Sequence, residues 1–240
     1  VTDLELVTIT GADDQVDPNA LAELSLLFPM VEWGILFSAS REGTRRYPTL
    51  EWMAELLRAA QRVPMRLAAH LCGARSRAFR AGAFVDAVAE LPLGPRAFQR
   101  VQINGWEAGD RVATGHEAEV ILQVRSEQHV QEAIGAFDGS VPGGVSLLYD
   151  PSGGRGKAPT SWPIPPPDVK VGYAGGLGPY HLVGPMRDIL IARMAAKAAY
   201  GDRVQPYWLD MESGVRDGGD NLDLWRVRTV LEITRSAETE

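Results

Sequence analysis

Eight short apolar runs, all but one closed by Gly, Ser or Asp, constrain this 240-residue chain more than any other feature. They are LELVTITG (4–11), VEWGILFS (31–38), MRLAAHLCG (65–73), FQRVQING (98–105), AEVILQV (118–124), GVSLLYD (144–150), VKVGYAGG (169–176) and QPYWLDMESG (205–214). Runs of this length, rich in Val, Ile, Leu and Tyr and bounded by turn residues, predict buried strands. Helical patterns separate most of them. Asp17-Pro18 opens the first, as N-cap and first helical residue. TLEWMAELLRAAQ (49–61) puts Leu50, Met53, Leu56 and Leu57 on one face. SRAFRAGAFVDAVAEL (76–91), SEQHVQEAIGAF (126–137), PMRDILIARMAAKAAY (185–200) and NLDLWRVRTVLEI (221–233) complete the set. Eight alternating units predict one α/β domain over 1–240, a single (β/α)8 TIM barrel, since closure accommodates eight parallel strands better than an open sheet.

Two connections depart from the regular unit. Residues 104–117 have room for only a short or degenerate helix 4. Residues 151–168 hold six prolines, which replaces helix 6 by a Pro-rich loop. A loop this long in a compact domain, on the face where barrel enzymes carry their sites, points to function.

Composition narrows the ligand. The formal charge of −7 gives no basic face for nucleic acid, but backbone N–H groups bind phosphate whatever the net charge. One cysteine, Cys72, excludes an internal disulfide and a thiolate-rich metal site. The four histidines lack metal-ligand spacing, so neither metal nor cofactor is expected. No apolar run approaches the ~20 residues of a membrane span, and the first residues carry acids. The expectation is a soluble, cytoplasmic monomer or homodimer without nucleic-acid or membrane partners.

Three glycine-bearing strand ends carry the chemistry: DPSGGRGK (150–157), AGGLGP (174–179) and DMESGVR (210–216). Glycine lets the backbone approach a ligand and turn successive N–H groups toward it. In a barrel the loops after strands seven and eight commonly form a phosphate cradle, here around Gly153, Gly154, Gly156, Gly175, Gly176, Ser213 and Gly214. The bland alternative is that these glycines only terminate strands. GRGK is not a P-loop, for it lacks the upstream glycine and the following Ser/Thr, and no G-x-G-x-x-G follows the first strand.

With TITG (8–11), VQING (101–105), LLYDPSGGRGK (147–157), GYAGGLGP (172–179), WLDMESGVR (208–216) and Trp162 in that order, the chain resembles the phosphoribosylanthranilate isomerase family, most strongly from residue 144 to 216. The resemblance implies a barrel that isomerises a phosphorylated sugar or its aryl-amine conjugate in an Amadori-type rearrangement. That reaction needs a general acid at the ring oxygen and a general base at C2. Asp150 falls on the family's acid position; read alone, it could equally form an Asx-turn before Pro151. The family's catalytic cysteine corresponds to Thr10, whose hydroxyl is too weak a base unaided. Asp13 or Asp14 in the next turn, or Cys72 beside His70, could replace it. Arg46-Tyr47 resembles the family's Arg-Tyr segment, whose arginine meets the anthranilate carboxylate; an insertion adds Arg41 and Arg45. His70, Gln102, Asn104, Asp210 and Glu212 fall at strand ends as substrate-binding candidates, as do Gln123 and Arg216. Glu32, early in the second strand, reads as structural. Two other functions fit the same residues: a phosphosugar-binding barrel with altered or no turnover, and a lyase or hydrolase using Asp150, Glu212 and Asp13.

Overall fold

The computed structural model describes residues 3–88, 97–112 and 117–239. Eight parallel strands close into a barrel in chain order: β1 (Leu4–Thr10), β2 (Val31–Phe37), β3 (Arg66–Leu71), β4 (Arg100–Ile103), β5 (Glu119–Val124), β6 (Val145–Tyr149), β7 (Val171–Ala174) and β8 (Tyr207–Met211). Closure is made by β1 against β8, with Thr8 paired to Asp210 and Ile9 to Met211. The helices are α1 (Pro18–Leu27), α2 (Leu50–Arg62), α3 (Gly73–Arg80), α4 (Phe84–Val88), α5 (Glu127–Gly135), α6 (Val183–Tyr200) and α7 (Leu224–Thr239).

Local chemistry explains the helix starts. The Asp17 carboxylate accepts the Asn19 N–H before Pro18, and the Thr49 hydroxyl accepts the Trp52 N–H at the head of α2. The Ser126 hydroxyl caps α5 in the same way. The helix expected over 76–91 is instead two pieces. Gly82 at φ +89 breaks the chain between α3 and α4, because a left-handed residue ends a helical turn; the last residues of that span lie outside the described residues. As expected, no helix forms after β6. After β4 the described residues are turns rather than the short helix considered for 104–117, and 113–116 lie outside the description. α7 runs past the expected end at residue 233.

Side chains alternate across each strand, so two cores result. The larger lies between barrel and helices and includes Val7, Ile9, Trp33, Ile35, Leu122, Leu147 and Leu209. The smaller fills the lumen with Leu6, Ile121, Leu148, Ala174 and Trp208. Below it, Glu32 accepts bonds from Thr8 Oγ1 (2.8 Å) and Arg100 Nη1 (3.0 Å), and Arg100 lies over the Trp208 ring. Glu32 is thus placed at the N-terminal end of the barrel, among groups that hold the lumen together. Above the apolar layer the inward positions are polar apart from Leu36, and there the mouth opens.

Candidate functional site

The upper lumen is a cleft partly open to solvent, whose enclosed space of about 60 Å³ is well below the ~300–1,000 Å³ usual for small-ligand pockets. Its floor is set by closure of the barrel. Thr10 on β1 donates its hydroxyl to Asp210 Oδ1 on β8 at 3.0 Å, and both are buried. Burial raises the Asp210 pKa well above the ordinary 3.8; the Thr10 bond opposes this, and the charges of Glu212, Asp150 and Glu32 reinforce it. Asp210 is therefore held in its protonated form further up the pH scale than a solvated aspartate.

Gly34, mid-strand in β2, makes this floor possible. A Cβ there would collide with Thr10 Oγ1 and stand 2.8 Å from His70 Nε2. Its absence lets Thr10 and His70 meet across β2. His70 is 1% exposed, and burial, with repulsion from Arg100, pulls its pKa down to about 3, so the imidazole is neutral. Its Nε2 has no partner among the described residues, nor has Gln102 Oε1, its neighbour in register on β4. The Gln102 amide donates to Asn104 Oδ1, and Asn104 donates to Cys72 Sγ.

Asp150, at the end of β6, is committed to its own loop. Oδ1 accepts Ser152 N (3.1 Å) and Ser152 Oγ (2.8 Å); Oδ2 accepts Gln123 Nε2 (2.9 Å) and Gly154 N (2.6 Å). The Asx-turn weighed for this residue is present, and four donors suit an acceptor-only carboxylate. Ser152 was missed in the sequence, although Asp-x-Ser before two glycines is a turn signal. Its hydroxyl also accepts the Arg155 and Gly156 amides.

The glycine loops are stacked on one another. A Cβ on Gly156 would stand 2.8 Å from Ser213 Cβ, one on Gly175 2.8 Å from the Lys157 carbonyl, and one on Gly176 2.6 Å from Ala158 N. One on Gly214 would collide with the Leu177 carbonyl. Glycine is thus required at Gly175, Gly176 and Gly214 by backbone-on-backbone packing of the β6, β7 and β8 loops, and at Gly156 by the Ser213 side chain. Gly154, Gly156, Gly175, Gly176, Ser213 and Gly214 line the cleft, whereas Gly153 does not. Among the described residues the N–H groups of Gly175, Gly176, Ser213 and Gly214 donate no backbone bond outside regular elements.

The remaining candidates lie beside the cleft. Arg46 donates Nε and Nη2 to Asp220 and Nη1 to Glu212; its whole guanidinium fork is engaged. Glu212 lines the cleft; burial raises its pKa and Arg46 pulls it back. Asp13 accepts the Gln15 and Arg46 N–H groups and pairs with Arg216, and Asp14 holds Thr49 at the head of α2. Both are used structurally and neither reaches the cleft lining. Burial raises the Cys72 thiol pKa, against the lowering bonds from Asn104 and Tyr47, which leaves less thiolate near neutrality. Arg41 is exposed and stacks on Tyr47. Thr10, His70, Gln102, Asn104, Asp150, Asp210 and Glu212 are brought together; Asp13, Arg41, Arg46 and Cys72 surround them.

Among the described residues no cluster of His, Cys, Asp and Glu could hold a metal ion, and no helix is long and apolar enough to cross a membrane. In comparison with known proteins, the chain matches no family model and no curated protein, so the likeness to phosphoribosylanthranilate isomerases rests on its motifs alone.

Proposed function

We propose that the chain is a phosphoribosylanthranilate isomerase-like enzyme that isomerises a phosphorylated sugar carried as an amine conjugate. The observation that carries this reading is the Thr10–Asp210 pair at the floor of a cleft lined by Gly175, Gly176, Ser213 and Gly214, whose N–H groups donate no backbone bond outside regular elements among the described residues. Those amides would take the phosphate dianion. Asp210, rather than Asp150, then takes the role of general acid. Its carboxyl proton passes to the ring oxygen as the amine lone pair expels it, leaving an open-chain iminium. The Asp210 carboxylate so formed removes the C2 proton, regenerating the acid and giving the enaminol that tautomerises to the ketose. One carboxyl group serving as acid and then as base supplies what a cysteine supplies in the family, and a raised pKa suits both steps. Thr10 orients it. The carboxyl group of Asp150, fixed by four donors, lines the same cleft and faces the iminium. The fully engaged Arg46 favours an amine half without a carboxylate to be met there.

Turnover of phosphoribosylanthranilate and of other ribosylamine 5-phosphates, followed by NMR, tests the reading. Asp210→Asn should lower kcat by about 10²-fold or more. An unchanged rate in that variant, or a wild type that neither turns over these compounds nor binds inorganic phosphate, refutes it.

A further inference from the structure

Two buried side-chain atoms at the cleft floor have no partner among the described residues, although neighbouring side chains are bonded. They are Nε2 of His70 on β3 and Oε1 of Gln102 on β4, on residues paired in register. Buried polar atoms are seldom left unpaired, because each gives up its hydrogen bonds to water without replacement. Both residues line the cleft, and both are less than 5% exposed.

Their chemistry is complementary. The amide end of Gln102 is spent on Asn104, which is itself fixed by donating to Cys72. That chain leaves the Gln102 oxygen as a pure acceptor. His70 is neutral, so one ring nitrogen carries a proton, and the subsite requires the tautomer that carries it on Nε2. With its low basicity it is a poor proton acceptor from carbon, which leaves it hydrogen bonding rather than general-base work. A donor and an acceptor side by side on adjacent strands suit one chemical group above others, an alcohol, which accepts from one and donates to the other. A carboxylate or phosphate oxygen would face the lone pairs of Gln102, and an ammonium group could not accept from His70.

We infer that His70 Nε2 and Gln102 Oε1 form a subsite for one secondary hydroxyl of the sugar. The subsite lies beside the proposed acid, because a Cβ on Gly34 would clash with both His70 Nε2 and Thr10 Oγ1, and Thr10 donates to Asp210. It makes the enzyme selective for polyhydroxylated over deoxy substrates, since a ligand lacking that hydroxyl leaves both atoms unpaired. The inference rests on the sugar-phosphate reading above and specifies its substrate class.

The test is calorimetric binding of ribose 5-phosphate, 2-deoxyribose 5-phosphate, 3-deoxyribose 5-phosphate and inorganic phosphate to the full chain. One of the two deoxy sugars should bind about 10²-fold or more weakly than ribose 5-phosphate. In Gln102→Met and His70→Phe the advantage of ribose over that deoxy sugar should shrink to a few-fold, while the affinity for inorganic phosphate stays unchanged. His70→Gln, which keeps a donor, should restore part of the selectivity. Equal binding of all three sugars, or selectivity undiminished in the Gln102 and His70 variants, overturns the subsite alone. Failure of every sugar and of phosphate to bind overturns the sugar-phosphate reading and the subsite with it.

Discussion

Replacing His70 by Gln should flatten the acid limb of the stability curve. In the unfolded chain a histidine takes up its proton near pH 6.5; in the barrel burial and Arg100 hold His70 neutral down to about pH 3. Between these values the unfolded state binds one more proton, so stability is lost as pH falls from 6.5 towards 3 and is fully present above 6.5. Each pH unit inside that window costs about 1.4 kcal/mol. Between pH 7.5 and 4.5 the wild type should therefore lose about 3 kcal/mol more than His70→Gln, whose amide does not titrate. Asp210 and Glu212 also titrate abnormally, but they are present in both proteins and cancel in the difference. Urea unfolding followed by the fluorescence of the six tryptophans at pH 7.5, 6.0 and 4.5 measures it. Parallel curves, with a wild-type-to-variant difference constant to within about 0.5 kcal/mol, would refute a neutral buried imidazole.

Three further outcomes follow from the same geometry. Asp210 keeps its proton in the fold after the unfolded chain has lost it, so it costs stability increasingly as pH rises from 3.8 through its raised folded value. Asp210→Asn should unfold at higher urea than wild type at pH 8, with the two converging near pH 3.5, while turnover is lost. Gly34→Ala and Gly172→Ala would drive a methyl group into Thr10 and His70, and into the Trp208 ring, respectively. Each should lower stability by about 1–3 kcal/mol in thermal unfolding, and Gly34→Ala should in addition weaken ribose 5-phosphate binding. Asp150→Asn retains one acceptor oxygen where four donors now converge, so the 151–156 loop should loosen and trypsin should cut after exposed Arg155 faster than in wild type.

The barrel was legible because strand runs and helical stripes have different periods and each ends in a recognisable breaker. The missing sixth helix was legible for a chemical reason, the prolines of 151–168. The site was legible only as a set of strand ends. The Thr10–Asp210 bond joins residues 200 positions apart, brought together by closure rather than by any local pattern, so the sequence around Thr10 offers Asp13 and Asp14 as the missing base, and the fold spends both on loops. Gly34 did carry a signal, since a glycine inside an apolar strand run marks a close approach, but it does not say what approaches. Arg46 looked free because the sequence hides Asp220 and Glu212, which reach it from the loop after β8.

Glu32 reads as structural because it lies at the closed end of the barrel, and its bond from Arg100 supports that role. Their influence nevertheless extends upward through a lumen only one apolar layer thick. Arg100 is the charge that helps keep His70 neutral, and Glu32 is one of the charges that help keep Asp210 protonated. A carboxyl that retains its proton and an imidazole that refuses one are opposite demands, met within one ring of side chains. They are met together because burial disfavours both charged forms, while the cation below repels a proton from the histidine and the anion below repels charge from the aspartate. In this barrel the stability end is therefore part of what sets protonation at the mouth, and altering the lower pair should disturb the upper one without touching any ligand.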